Sequence, residues 1–203
     1  MSTIVSSLQS IKAQLPEDVT LVAVSKTKPS SDILEAYATG QRDFGENKIQ
    51  EMTSKWEELP KDINWHMIGH VQTNKVKYMA PFVHLIHAVD SFKLLKEINK
   101  QAKKNNRSIN CLIQIKIAEE DSKFGLSTED AVQLILSPEV SQLSNINIRG
   151  LMGMATFTDD EKQLRSEFTI IKSAFDELKN KIEGFNTLSI GMSGDYQIAI
   201  QEG

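Results

Sequence analysis

Lys26 ends the apolar run Leu21-Val22-Ala23-Val24-Ser25 and precedes Thr27-Lys28-Pro29-Ser30-Ser31-Asp32. An amine at the mouth of a buried strand is expected to be partly desolvated, which disfavours the ammonium form and lowers its pKa. That is how a protein prepares a lysine for Schiff-base chemistry. The competing reading is a solvated lysine closing a strand, the commoner fate of this residue type. A second stretch, Leu188-Ser189-Ile190-Gly191-Met192-Ser193-Gly194-Asp195, is a strand pattern that breaks into small residues before a helical one. Backbone N–H groups at a helix start, beside serine hydroxyls, can hold an anion. The same letters also describe a plain serine-glycine helix cap, and spacing does not choose between the two. An amine after the first strand and an anion cup after the seventh would suit a phosphorylated aldehyde or ketone, anchored by its phosphate and captured at its carbonyl.

Other chemistry-bearing residues are less committed. In Phe44-Gly45-Glu46-Asn47 the glycine permits a tight turn or a close approach. Asn47 can cap the next helix or bond a ligand oxygen, and spacing alone favours the cap. His66 and His70 are four apart and His84 and His87 three apart. His66 lies on a strand pattern, so the first pair does not share a helix face, and no Cys cluster or HExxH pattern accompanies either pair. No metal is expected, and the histidines read as satisfied polar or barrel-rim groups. The single Cys111 sits inside a strand pattern and reads as a packed core thiol. No Gly-x-Ser-x-Gly elbow supports serine nucleophilic catalysis.

The elements that would position these residues alternate in type. Short apolar runs predict strands at 21–25, 42–44, 64–68, 83–88, 109–117, 146–152 and 187–190. Helical periodicity predicts helices at 4–14, 31–39, 48–58, 74–79, 92–104, 128–136, 160–181 and 196–201, with N-caps at Ser30 or Ser31 and at Ser127 or Thr128. Alternating strands and helices predict a parallel sheet, open or closed into a barrel. No glycine-rich dinucleotide turn follows the first strand, and polar residues gather at the C-terminal ends of the strands, both of which favour a TIM-type (β/α)8 barrel with seven strands visible. The 203 residues fit one domain, residues 1–203, with 40% hydrophobic and 25% charged residues. A net charge of −4 argues against nucleic acid or an anionic membrane as a partner. There is no signal-peptide pattern and no run long enough to span a membrane, and a lone cysteine suits a reducing compartment, so a cytoplasmic location is expected.

The segments Ala23-Val24-Ser25-Lys26-Thr27-Lys28-Pro29, Gly40-Gln41-Arg42-Asp43-Phe44-Gly45-Glu46-Asn47, and Trp65-His66-Met67-Ile68-Gly69 with Gln72-Thr73-Asn74-Lys75 carry a family resemblance. So do Ser122-Lys123-Phe124-Gly125, Arg149-Gly150-Leu151-Met152 and Leu188-Ser189-Ile190-Gly191-Met192-Ser193. Together, from about residue 20 to residue 203, they resemble the pyridoxal phosphate homeostasis proteins. The resemblance implies a barrel similar to the N-terminal domain of alanine racemase and pyridoxal 5′-phosphate held as an internal aldimine on Lys26. It implies Asn47 beside the cofactor, Met152 lining the pocket near the ring, and Ser193 with the backbone around Met192 and Gly194 at the phosphate. Lys75 and Lys123 match basic family positions, assigned to cofactor traffic or pocket charge. His70-Val71 stands where relatives often carry a proline-leucine pair. Family members bind and deliver the cofactor, supporting vitamin B6 and amino-acid balance without established turnover, and apo-enzymes dependent on it are the expected protein partners of a monomer. Relatives continue past Gly203 with a Ser-Thr-x-Val-Arg-Ile-Gly-like strand. The expectation is therefore a barrel lacking its final strand, in a truncated or degenerate member with part of its phosphate cup missing.

Two enzyme readings compete. An amino-acid racemase of this fold draws a catalytic tyrosine from a second domain, and none of Tyr37, Tyr78 and Tyr196 falls at a predicted strand end. A cofactor-free Schiff-base aldolase usually places its lysine on a middle strand, not the first.

Overall fold

A computed structural model describes residues 3–119 and 124–203. Among them are seven parallel strands: β1 (Ala23–Val24), β2 (Asp43–Glu46), β3 (Asn64–Met67), β4 (Leu85–Val89), β5 (Ile109–Ile115), β6 (Ile146–Gly153) and β7 (Thr187–Ser189). Their order in the sheet follows their order in the chain. Helices α1 (Thr3–Lys12), α2 (Ser30–Ala38), α3 (Ile49–Glu58), α4 (Val76–Met79), α5 (Phe92–Lys104), α6 (Thr128–Ile135), α7 (Pro138–Ser141), α8 (Glu161–Lys179) and α9 (Tyr196–Glu202) fill the connections, with a 3-10 turn at Thr73–Lys75.

A parallel sheet needs both faces covered, and successive side chains supply the two faces in turn. Phe44, Trp65, Ile86, Ile113 and Leu151 belong to the large core that the helices cover. The neighbouring positions Leu85, Leu112 and Met152 form a separate small cluster, with Met154 against it. This second, inner face is where the sheet closes on itself. In a flat sheet β4 and β7 would lie three strand spacings apart, about 14 Å. Instead His87 Nδ1 on β4 is 2.8 Å from Ser189 Oγ on β7, so the sheet is rolled into a partial barrel. Gln197 Nε2 of α9 also reaches Gln14 Oε1, ahead of β1, at 3.5 Å.

Most predicted elements are present, with instructive differences at their ends. β1 is two residues rather than five, because among the described residues it pairs with β2 alone; Ser25 continues the line with one N–H to the Gly45 carbonyl at 2.9 Å. Neither Ser30 nor Ser31 caps α2. Pro29 occupies the N-cap without a side-chain bond, and Ser30 Oγ donates to Glu58 Oε2 at 2.9 Å. Ser127 does cap α6, accepting from the Asp130 N–H at 3.0 Å. α7, capped by Ser137, is one turn long and too short to show a helical period. Cys111 is buried in the core, and burial pushes its thiol pKa up, as expected of an inert thiol. No helix among the described residues is long and apolar enough to cross a membrane.

Candidate functional site

Lys26 lies immediately beyond β1, at the C-terminal end of the sheet, and it is exposed. This corrects the expectation of a desolvated amine: the side chain stands in solvent. What the fold controls is the backbone on either side of it. Ser25 Oγ donates to Glu46 Oε1 at 2.6 Å, and Lys55 Nζ donates to the Ser25 carbonyl at 2.8 Å. The same ammonium reaches Glu46 Oε1 and Glu51 Oε1, each at 2.7 Å. Glu51 Oε1 in turn accepts the Thr27 N–H at 2.6 Å. One buried cation and two carboxylates therefore fix the residues directly before and after Lys26. Thr27 is held at φ 64°, a left-handed conformation uncommon for a β-branched residue. The hydrogen bond from Lys55, reinforced by the Thr27 amide, holds the Glu51 carboxyl below its usual range against a smaller opposing effect of burial.

Sequence reasoning passed over Lys55, yet a signal was present. Ile49, Met52 and Lys55 follow one another at three-residue steps and are the buried residues of α3, so a charged residue stands on the apolar stripe. A buried lysine needs a partner, and Glu46, fully buried at the end of β2, is that partner.

Asn47 does not cap α3. The N-cap is Lys48, without a side-chain bond, and Asn47 Oδ1 is buried with no hydrogen-bond partner. An orphaned buried acceptor costs free energy unless a donor meets it, so Asn47 fits a ligand-facing role better than a structural one. Gly69, after β3, packs directly on it: a Cβ there would lie 2.7 Å from Asn47 Cα. Met152 is buried on the inner face beside Leu85 and Leu112.

After β7, Met192, Ser193 and Gly194 are all exposed. Gly191 adopts φ +81°, and an added Cβ would lie 2.9 Å from Tyr196 Cα, so the turn into α9 requires glycine. Around Gly194 there is open space where a Cβ would stand. The expected contribution of the Met192 amide needs correction: its N–H donates to the Asp195 carboxylate and is already used. The turn into the seven-residue α9 is thus organised by Asp195 as well as by its small residues.

The remaining sequence candidates scatter. Lys75 lies in the 3-10 turn, its Nζ 5.8 Å from the Tyr78 ring centre. Lys123 falls outside the described residues. His70 Nδ1 is 3.3 Å from Asp90 Oδ2, with its ring stacked on Phe124 at 4.4 Å, at the rim beyond β3 and β4. His66 and His87 are satisfied inner-face groups. His66 Nε2 is 3.0 Å from Asp43 Oδ1, His66 Nδ1 is 2.9 Å from His87 Nε2, and His87 continues to Ser189. Burial, then the neighbouring imidazoles, push the His87 pKa down to about 3, so it stays neutral.

Lys26 and Asn47 thus follow the adjacent strands β1 and β2, while Met152 lies on β6 and Ser193 follows its neighbour β7. An amine, an unsatisfied amide and an open glycine turn at one end of a rolled parallel sheet can receive a carbonyl compound that carries an anionic group.

The family model described as alanine racemase, N-terminal domain, matches residues 1–202. The pyridoxal phosphate homeostasis protein of Pseudomonas aeruginosa is 36% identical over 214 residues, covering 100% of this chain and 91% of that protein. Its namesake from Escherichia coli K12 is 37% identical over 195 residues, covering 93% of this chain and 81% of that protein. Among solved structures, PipY of Synechococcus elongatus without pyridoxal phosphate superposes with a TM-score of 0.91 at 36% identity, covering 99% of this chain and 94% of that one. PipY with pyridoxal phosphate bound gives 0.88 over the same shares at the same identity. Alanine racemase of Clostridium difficile, 17% identical with a TM-score of 0.78, covers 95% of this chain and 51% of that one, and shares the fold.

Proposed function

The chain belongs to the pyridoxal phosphate homeostasis proteins, within the alanine racemase N-terminal domain family, and from that premise we propose that it binds pyridoxal 5′-phosphate covalently through Lys26. In this reading it carries the cofactor and takes part in vitamin B6 and amino-acid homeostasis. The observation that carries the proposal is the position of Lys26 at the C-terminal end of β1, its flanking residues locked by the Lys55–Glu46–Glu51 group. A relative 36% identical to this chain, PipY, has been solved with the same compound bound.

The aldehyde of pyridoxal phosphate supplies the chemistry, condensing with a primary amine and losing water. The chain's own residues do the rest. Lys26 presents its amine from a backbone that cannot swing, because Ser25 and Thr27 are both tied. Preorganisation of this kind lowers the entropic cost of capture. Asn47 offers its free amide oxygen from the neighbouring strand end, and Met152 supplies an apolar, buried wall on the inner face. Ser193 and the open turn at Gly194 are assigned to the phosphate, with Lys75 adding positive charge at the rim. Met192 contributes side-chain cover rather than its amide, which Asp195 holds.

In the same reading residues 1–203 form one cofactor-binding unit. The rolled sheet is the greater part of a TIM-type (β/α)8 barrel, its final strand belonging between β7 and β1. A cytoplasmic monomer that meets cofactor-dependent apo-enzymes completes the picture, with no membrane or nucleic-acid partner. The test is reductive trapping. The chain is incubated with pyridoxal phosphate, reduced with borohydride and mapped by peptide mass spectrometry. A single pyridoxyl label on Lys26, absent in Lys26→Ala, is expected. Label spread over surface lysines, or none, would overturn the proposal.

A further inference from the structure

We propose that Asp43, His66 and His84 form a binding site for one divalent transition-metal ion, at the opposite end of the sheet from Lys26. Asp43 opens β2, His84 immediately precedes β4, and His66 lies on β3 between them. One donor atom from each lies within 4.8 Å of the others. His66 Nε2 and Asp43 Oδ1 are 3.0 Å apart, and the His66 and His84 ring centres are 5.3 Å apart. Along the chain His66 is near His70 and His84 near His87, and neither spacing makes a metal site. Parallel pairing instead draws one member of each pair together with a carboxylate from a third strand.

The donor set specifies the class of ion. Two imidazole nitrogens and one carboxylate oxygen suit zinc, cobalt, nickel or ferrous iron, whereas magnesium and calcium prefer oxygen throughout. Three protein ligands also leave a coordination position for water. Metal-binding histidines are normally oriented by a partner on the other ring nitrogen, and His66 has one. Its Nδ1 faces His87 Nε2 at 2.9 Å, and His87 Nδ1 faces Ser189 Oγ at 2.8 Å. Asp43 Oδ1 is steadied by Asn64 Nδ2 at 3.1 Å. His84 is exposed, which gives the ion a way in from solvent. The charged group that opposes a cation here is Arg107, whose field reaches His84. Its guanidinium is tied to the carbonyls of Ala80 at 2.7 Å and Val83 at 2.8 Å.

Occupation would reset the proton positions along this chain of bonds. With no ion, the Asp43 carboxylate accepts from His66 Nε2–H, His66 Nδ1 accepts from His87 Nε2–H, and the Ser189 hydroxyl donates to His87 Nδ1. An ion on His66 Nε2 requires the proton at Nδ1, which then donates to His87 Nε2. His87 Nδ1–H donates to Ser189 Oγ, and the Ser189 hydroxyl hydrogen is released toward another acceptor. Each imidazole keeps one proton and Ser189 keeps its own, so the balance is unchanged: the ion replaces the Asp43–His66 hydrogen bond, and the His66–His87 and His87–Ser189 bonds reverse direction.

The test uses the full chain, freed of metal with EDTA and free of cofactor, and titrated with Co2+. Visible ligand-field bands saturating at one ion per chain, and displacement of Co2+ by Zn2+, are expected. His84→Ala, an exposed position, should retain the far-UV circular dichroism of the parent and weaken Co2+ binding about tenfold or more; His70→Ala should leave binding unchanged. Nitrogen-15 NMR of the imidazoles should show His87 exchanging its Nε2 proton for one at Nδ1 when Zn2+ is added. Absence of stoichiometric binding, binding indifferent to His84→Ala, or Mg2+ competing as well as Zn2+ would overturn the proposal.

Discussion

Replacing Lys55 with methionine probes the framework around Lys26 most directly. Methionine preserves most of the side-chain volume, so the change removes charge and three hydrogen bonds with little loss of packing. Glu46 is then left fully buried, with Ser25 Oγ as its remaining donor and Oε2 already unpartnered. Breaking a buried ion pair by removing one member costs about 3–5 kcal/mol, mostly the penalty of an uncompensated charge. For a chain of this size 1 kcal/mol corresponds to about 2–4 °C in Tm. Lys55→Met should therefore melt about 6–20 °C below the parent by circular dichroism. Pairing it with Glu46→Gln removes both charges, and the double variant should be more stable than Lys55→Met alone, giving a coupling energy of about 1 kcal/mol or more in the cycle. Reductive trapping on Lys26 should be slower in Lys55→Met even well below its melting temperature, because the Ser25 carbonyl loses its anchor. A Tm within about 2 °C of the parent, or effects of the two substitutions that simply add, would refute the view that this pair is a coupled, buried unit.

Two further outcomes follow from the same geometry. Asn47→Ala should change stability by less than about 1 kcal/mol, since its carbonyl oxygen has no internal partner to lose, yet weaken pyridoxal phosphate binding about tenfold, read by equilibrium titration; a large loss of stability without loss of binding would reassign the residue to structure. The depressed Glu51 carboxyl sets an acid dependence. Its contribution is present above the unfolded-state value of about 4.5 and is lost as pH falls through the lower folded value, so Glu51→Gln should flatten the parent's decline in Tm across that acidic window. An unchanged decline would remove Glu51 from the set of groups that control it.

How far the sequence reached depended on whether a residue's partner was near in the chain. The 3.6-residue period of α5 predicts Phe92–Lys104 to the residue, because Leu94, Leu95, Ile98 and Ala102 all bury one face. Strand ends were less legible: whether Leu21 or Ser25 is paired depends on β2, which lies some twenty residues on. Lys26 was found because a lysine closing an apolar run is visible locally, whereas its exposure is a property of the rolled sheet. Asn47 read as a cap since caps are local, and only the structure puts Gly69 against it and leaves its oxygen unmatched. The His66–His87–Ser189 line could not be read at all. Its members are 21 and 102 residues apart, and curvature alone joins them.

A sheet whose spatial order repeats its chain order also has a consequence for synthesis. Each strand from β2 to β7 docks on one already made, so the nascent chain can extend a folded edge one strand and helix at a time, without waiting for a distant partner. The long-range links come last, when β7 delivers Ser189 to His87 and α9 brings Gln197 to Gln14. Until then the inner face, with its polar line of Asp43, His66 and His87 beside the apolar Leu85, Leu112 and Met152, lacks the cover of β7. Ser189 would thus complete the His66–His87 line only once β7 has emerged from the ribosome.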